Sequence, residues 1–124
     1  MNAIADRQQT AELCDALRRG IEQRDPALLA SLYTDDCEHV IINRNSPPSR
    51  PLVLKGREAL RKMFEDVCAR EMTHCVEKAV IGEGSLAFHQ TCQYPDGTRV
   101  VVLSIAQLRD GKIFRETAID SWDE

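Results

Sequence analysis

Between residues 85 and 122 the hydrophobic and polar positions fall into three runs, 85–94, 98–108 and 112–122, each of which reads as a strand. Pro95-Asp96-Gly97 and Asp110-Gly111 separate them. Asp-Gly between apolar runs predicts a hairpin, because glycine accepts φ > 0 without steric cost. In the first run Leu86, Phe88, Cys92 and Tyr94 share a face with Gln90, and Ala87, His89, Thr91 and Gln93 form a more polar opposite face. The second run is apolar on both sides, with Val101, Leu103 and Ile105 on one and Val100, Val102, Ala106 and Leu108 on the other. Such a strand must bury both faces, so a second copy of the chain is expected to cover the outer one as a homodimer. In the third run Ile113 and Ile119 compete with Phe114 and Trp122 for the interior.

Upstream the period lengthens. Leu13, Cys14, Leu17 and Ile21 recur at helical spacing with Thr10 on the same side, which predicts a helix over about 8–23 after a loose start at 1–6. Gly20 weakens its end. Asp25-Pro26 starts a second helix: Asp caps, and Pro suits a first position whose N–H has no intrahelical partner. Leu28, Leu29, Leu32 and Tyr33 give its buried side, and Thr34-Asp35-Asp36 ends it. Residues 37–43 alternate as a strand, with Cys37, His39, Ile41 and Asn43 on one face. Three prolines in 44–51 make a loop long enough to form a lip. A short edge strand at 51–55 and a third helix at about 57–70 follow, the latter with a stripe of Leu60, Met63, Phe64, Val67 and Cys68. Residues 73–81 form a further strand, ended by Gly82-Glu83-Gly84. The class is α+β in one domain of 124 residues.

Composition removes several functions. A formal net charge of −4 argues against nucleic-acid or anionic-membrane partners. No apolar run reaches membrane length, and residues 1–10 are not expected to act as a secretory signal. The five cysteines form no Cys-x-x-Cys unit and read as reduced thiols of a cytoplasmic protein. No metal is expected without a His-x-His, His-Glu-x-x-His or paired-Cys spacing, and no nucleotide cofactor without a glycine-rich phosphate loop.

The segments Arg24-Asp25-Pro26, Leu32-Tyr33-Thr34-Asp35-Asp36, Lys55-Gly56-Arg57-Glu58-Ala59-Leu60 and Asp110-Gly111-Lys112-Ile113 fall in an order that resembles the SnoaL-like branch of the nuclear transport factor 2-like superfamily. The resemblance runs from about Leu13 to Trp122. It implies a cystatin-like cone, with three N-terminal helices packed on a curved, mostly antiparallel sheet around a pocket. It also implies the pocket-facing set: His39, Ile41 and Asn43; Phe88, Gln90, Cys92 and Tyr94; Leu103, Ile105 and Gln107; Glu116, Ala118, Asp120 and Trp122; and Leu17, Met63 and Val67 from helices. The ketosteroid isomerase pattern of an Asp base with Tyr and Asp donors falls on Ile41, Leu17 and Ile105, so that chemistry is absent. The Arg–Asp pair of the limonene-epoxide-hydrolase-like pattern is also missing, since Val101 follows Arg99 by two residues.

Glu116 and Asp120 remain on one face of the last strand, with Cα atoms roughly 13 Å apart. They cannot share a proton, but a carboxylate in an apolar cone has its pKa raised and suits acid–base work. His39 could pair with either. The blander readings are that Arg99, Arg115 or backbone groups satisfy both acids, and that His39 is a hydrogen-bonded wall residue. Cys92 reads as a core thiol rather than a nucleophile. Tyr33 and Tyr94 could offer hydroxyls, Tyr33 being mainly packing. The expectation is a small-molecule-binding protein that performs cofactor-free isomerisation, cyclisation or dehydration of a small apolar substrate. Asp120, Glu116 and His39 carry protons there, and Asn43, Met63, Phe88, Gln90, Tyr94, Leu103 and Trp122 hold the ligand. The alternative is a noncatalytic ligand-binding or protein-interaction module on the same fold.

Overall fold

The computed structural model describes the backbone of residues 3–124 and the side chains of residues 7–124. Its elements are α1 (Ala3–Glu22), α2 (Pro26–Ser31), β1 (Tyr33–Ile42), β2 (Leu52–Lys55), α3 (Arg57–Ala69), β3 (Thr73–Ile81), β4 (Ser85–Gln93), β5 (Arg99–Arg109) and β6 (Lys112–Trp122). The six strands form one sheet in the order β2-β1-β6-β5-β4-β3. Every neighbouring pair is antiparallel except β1 and β6. This is the expected α+β, cystatin-like arrangement of helices on a curved sheet.

The expected loose start covered residues 1–6. The helix begins at Ala3, in a stretch without Gly or Pro to stop it, and residues 1 and 2 lie outside the described residues. Asp25 caps α2 as expected, its Oδ1 accepting from the Leu28 N–H at 3.1 Å. That contact is worth about 1 kcal/mol. Gly20 has a packing reason: a Cβ there would lie 2.7 Å from the Leu29 side chain, so α1 and α2 meet across a bare backbone. Asp110 and Gly111 both take positive φ, 53° and 78°, and turn β5 into β6 as the sequence predicts.

Two expectations are corrected. The first is the end of α2. Leu32 is its C-cap, and Tyr33 already belongs to β1, where it pairs with Ile113. The Ile113 N–H donates to the Leu32 carbonyl at 2.9 Å, so pairing with β6 wins over another helical turn. The second is the facing of β5. Leu103 is 54% exposed and Ile105 64%, while Ser104 and Ala106 are buried. Leu103, Ile105 and the exposed Gln107 therefore lie on the outer face. Alternation could not choose between two apolar faces; pairing with β6, which sets Ser104 beside Ala118 and Ala106 beside Glu116, turns the smaller residues inward. Opposite Gln107 and Leu108 the register skips Phe114 of β6, so Ile113, and not Phe114, turns into the core.

Candidate active site

The helices and the inner sheet face enclose a cavity of about 720 Å³. The strand register arranges the inner sheet face as four rows. The deepest is His39–Glu116–Ala106–Leu86. The next is Ile41–Ala118–Ser104–Phe88. Above it run Asp120, Val102 and Gln90, and nearest the rim Trp122, Val100, Cys92 and His74. Leu17 and Ile21 of α1, Leu29 of α2, and Met63, Phe64 and Val67 of α3 make the apolar opposite wall. Ala118 and Ser104, both small, face each other across β6 and β5 and leave a hollow between Glu116 and Asp120.

At the deep end Glu116 is 3% exposed. The Tyr33 hydroxyl donates to Glu116 Oε1 at 2.5 Å. His39 Nδ1 lies 3.7 Å from the same oxygen. That is too long for a hydrogen bond, and Nδ1 is buried without a partner. Burial first, then the Glu116 charge, pushes the Tyr33 phenol well above its ordinary pKa, so Tyr33 keeps its proton.

Two rows outward, the Asn43 amide donates to Asp120 Oδ2 at 3.4 Å. The other end of that amide is fixed by the loop that follows β1: Asn43 Oδ1 accepts from the N–H groups of Asn45 and Ser46, both at 2.9 Å. These two donors orient the amide and leave its NH2 for Asp120. Desolvation raises the Asp120 pKa, and the Asn43 bond, together with His39 when its ring is protonated, partly opposes the rise.

At the rim, His74 Nδ1 and Cys92 Sγ are 3.1 Å apart. Burial and, secondarily, the Asp120 charge push the Cys92 thiol up to about 11. Desolvation and Arg24 lower His74. The pair is neutral, the thiol donates to Gln90 Oε1 at 3.7 Å, and Cys92 is a wall group rather than a thiolate. Arg70 spans the mouth between Tyr94 Oη at 3.1 Å and Asp66 Oδ2 at 2.6 Å.

A SnoaL-like domain model matches residues 14–116. The chain belongs to the SnoaL-like family. Solved structures agree on the fold. An NTF2-like protein of unknown function from Mesorhizobium loti superposes with a TM-score of 0.80 at 21% identity, covering 93% of each chain. A phenazine biosynthesis-related protein from Pseudomonas aeruginosa gives 0.77 at 14% identity, over 98% of this chain and 80% of that one. A protein of unknown function with a cystatin-like fold from Methylobium petroleophilum gives 0.74 at 12% identity, over 95% and 79%. No curated protein sequence matches the chain.

In this SnoaL-like chain the cavity gathers His39, Glu116 and Asp120, together with Asn43, Met63, Phe88, Gln90, Tyr94 and Trp122. Leu103 is not among them; its place is taken by Val102 and Ser104. Neither Arg99 nor Arg115 holds the two acids; Tyr33 and Asn43 do. Among the lining residues that sequence reasoning left out are Ser104, Val102, Val100, His74, Phe64 and Arg70. Ser104 and Val102 followed from the register of β5 against β6, with Ala118 opposite Ser104. Tyr33 was visible as a residue, but its hydroxyl role depends on its being in β1 rather than α2. Among the described residues, no group of three or more His, Cys, Asp or Glu is placed to hold a metal ion. Among them too, no helix is long and apolar enough to cross a membrane.

Proposed function

We propose that this SnoaL-like protein binds a small, mostly apolar organic molecule in the cavity and performs cofactor-free acid–base chemistry on it, of the isomerase, cyclase or dehydratase type. The observation that carries this reading is Asp120: a carboxyl on an apolar cavity wall whose pKa is raised by burial. A raised pKa brings protonated and ionised forms closer in free energy, which suits a group that takes a proton and returns it. In this mechanism Asp120 exchanges a proton with a ligand atom held over Ala118 and Ser104. His39 handles the second proton from the deeper side. Phe88, Trp122 and Met63 bury the ligand's apolar body, and Gln90 and Tyr94 orient its polar edge. The test is to identify the bound compound from purified protein and measure its conversion. Asp120→Asn should lower turnover by about 10²- to 10⁴-fold, the usual worth of a general acid or base. Turnover equal to wild type would remove Asp120 from the mechanism, and a ligand recovered unchanged would make the protein a noncatalytic binder.

The working form in this reading is a homodimer in the cytoplasm. Val80, Leu103, Ile105 and Ile119 are all more than half exposed on the outer sheet face. The register sets Val80, Ala87, Ile105 and Thr117 in one row and Leu103 beside Ile119 in the next, so the patch is continuous. All five cysteines are unpaired, which fits a reducing compartment. Sedimentation should give a dimer at micromolar concentration and a monomer for Ile105→Glu; a wild-type monomer would contradict the assembly.

A further inference from the structure

The three proton carriers named above are not equivalent in their surroundings, and the difference assigns them different work. Glu116 is buried, and its Oε1 is already held by the Tyr33 hydroxyl. The same Oε1 faces His39 Nδ1, which is buried and otherwise unpartnered. His39 itself lines the cavity. We propose that Tyr33 and Glu116 are positioning residues for His39: Tyr33 fixes the Glu116 carboxylate, Glu116 holds the proton of His39 on Nδ1, and Nε2 is the atom that exchanges protons with the ligand.

The physical argument is electrostatic. A buried N–H aimed at a carboxylate oxygen is favoured over a lone pair aimed at it, so the carboxylate selects the Nδ1–H tautomer. When Nε2 takes a proton, the imidazolium is stabilised by Glu116 and the 3.7 Å gap can contract to a charge-assisted bond. When Nε2 returns the proton, the neutral Nδ1–H form is restored, so no co-reactant is consumed. Other groups around the ring do not compete for Nδ1. Asp120 acts on His39 through its charge from two rows away. Leu54, beside His39 on β2, and Met63 and Phe64 of α3 bring no charge. Tyr33 stays protonated and donates to the carboxylate.

The inference rests on the acid–base reading of the cavity, but its test does not need turnover. Long-range ¹H–¹⁵N spectra of the full-length labelled protein report which ring nitrogen carries the proton. His39, His74 and His89 are the only histidines. His74→Gln and His89→Gln assign the third. The expected wild-type result near neutral pH is His39 protonated on Nδ1 and bare on Nε2. Glu116→Gln should move the proton to Nε2, Tyr33→Phe should give a mixture of both forms, and Glu116→Asp should restore Nδ1–H in part. A wild-type His39 protonated on Nε2 overturns the assignment, and so does a tautomer unchanged in Glu116→Gln. If Glu116→Gln does not fold, the wild-type spectrum alone decides. An Nδ1–H tautomer in a protein whose ligand is never converted would sink the catalytic reading and leave this contact standing.

Discussion

Glu116 and Asp120 stand on one face of one strand, and the two ends of the cavity they mark are built differently. The deep end is dry. Glu116 is 3% exposed, and a phenol and an imidazole close on a single oxygen. The outer end is half-open. Asp120 has one long bond, 3.4 Å, to an amide that a loop holds in place. A carboxylate with a short, fully buried donor is committed to its partner, whereas one held at the edge of hydrogen-bond range is free to exchange it for a ligand. The comparison separates a group that holds from a group that reacts, although both are acids facing the same space.

The sharpest way to break this comparison is to neutralise each acid. Asp120→Asn should cost about two to four orders of magnitude in turnover. Its melting temperature should stay near or above that of wild type, because the side chain it replaces is destabilised by burial when ionised. A fall in stability matching that of a Glu116 variant would erase the distinction. Next in size is Tyr33→Phe, which leaves Glu116 without its donor. Chemical denaturation should show a loss of roughly 1–3 kcal/mol; no loss would mean that the deep end is not held as described.

The pH dependence has a fixed sign. Asp120 has a folded-state pKa above its unfolded value, so between the two the native state binds more protons and stability falls as pH rises through that window. Asp120→Asn should therefore gain on wild type above the window, with the gap closing as the pH approaches about 4. A gap of opposite sign would contradict the burial argument. The smallest effect is expected for Asn43→Ala. The Asn43 bond lowers the Asp120 pKa, so its removal should shift the Asp120 titration upward, read by carboxyl NMR, and cost about 0.5–1.5 kcal/mol. An unmoved titration would mean that the 3.4 Å contact carries no weight.

Much of this was legible in the chain. Asp-Gly at 110–111, Asp25-Pro26 and the period of Leu13, Leu17 and Ile21 mark local events, and local chemistry decides them. His39, Glu116 and Asp120 could be placed on one wall only through the family resemblance, because alternation in the last strand left Ile113 and Ile119 competing with Phe114 and Trp122. The facing of β5 could not be read, since Val100–Leu108 is apolar on both sides and only the register with β6 chooses. Tyr33 was misplaced for a related reason. The competition between a last helical turn and a first strand pair is settled by Ile113, 80 residues away in sequence, and the Tyr33–Glu116 contact follows from that pairing.

The most direct measurement uses Trp122, the single tryptophan of the chain, which lines the cavity. Its fluorescence can be titrated with a panel of bicyclic apolar alcohols and ketones, in wild type and in Ala118→Phe, where the hollow between the two acids is filled. The expected result is a saturable change with at least one compound in wild type and its loss in the variant, with the fold of the variant verified by circular dichroism. A panel without any saturable change, or the same binding in both proteins, would contradict a ligand seated between Glu116 and Asp120.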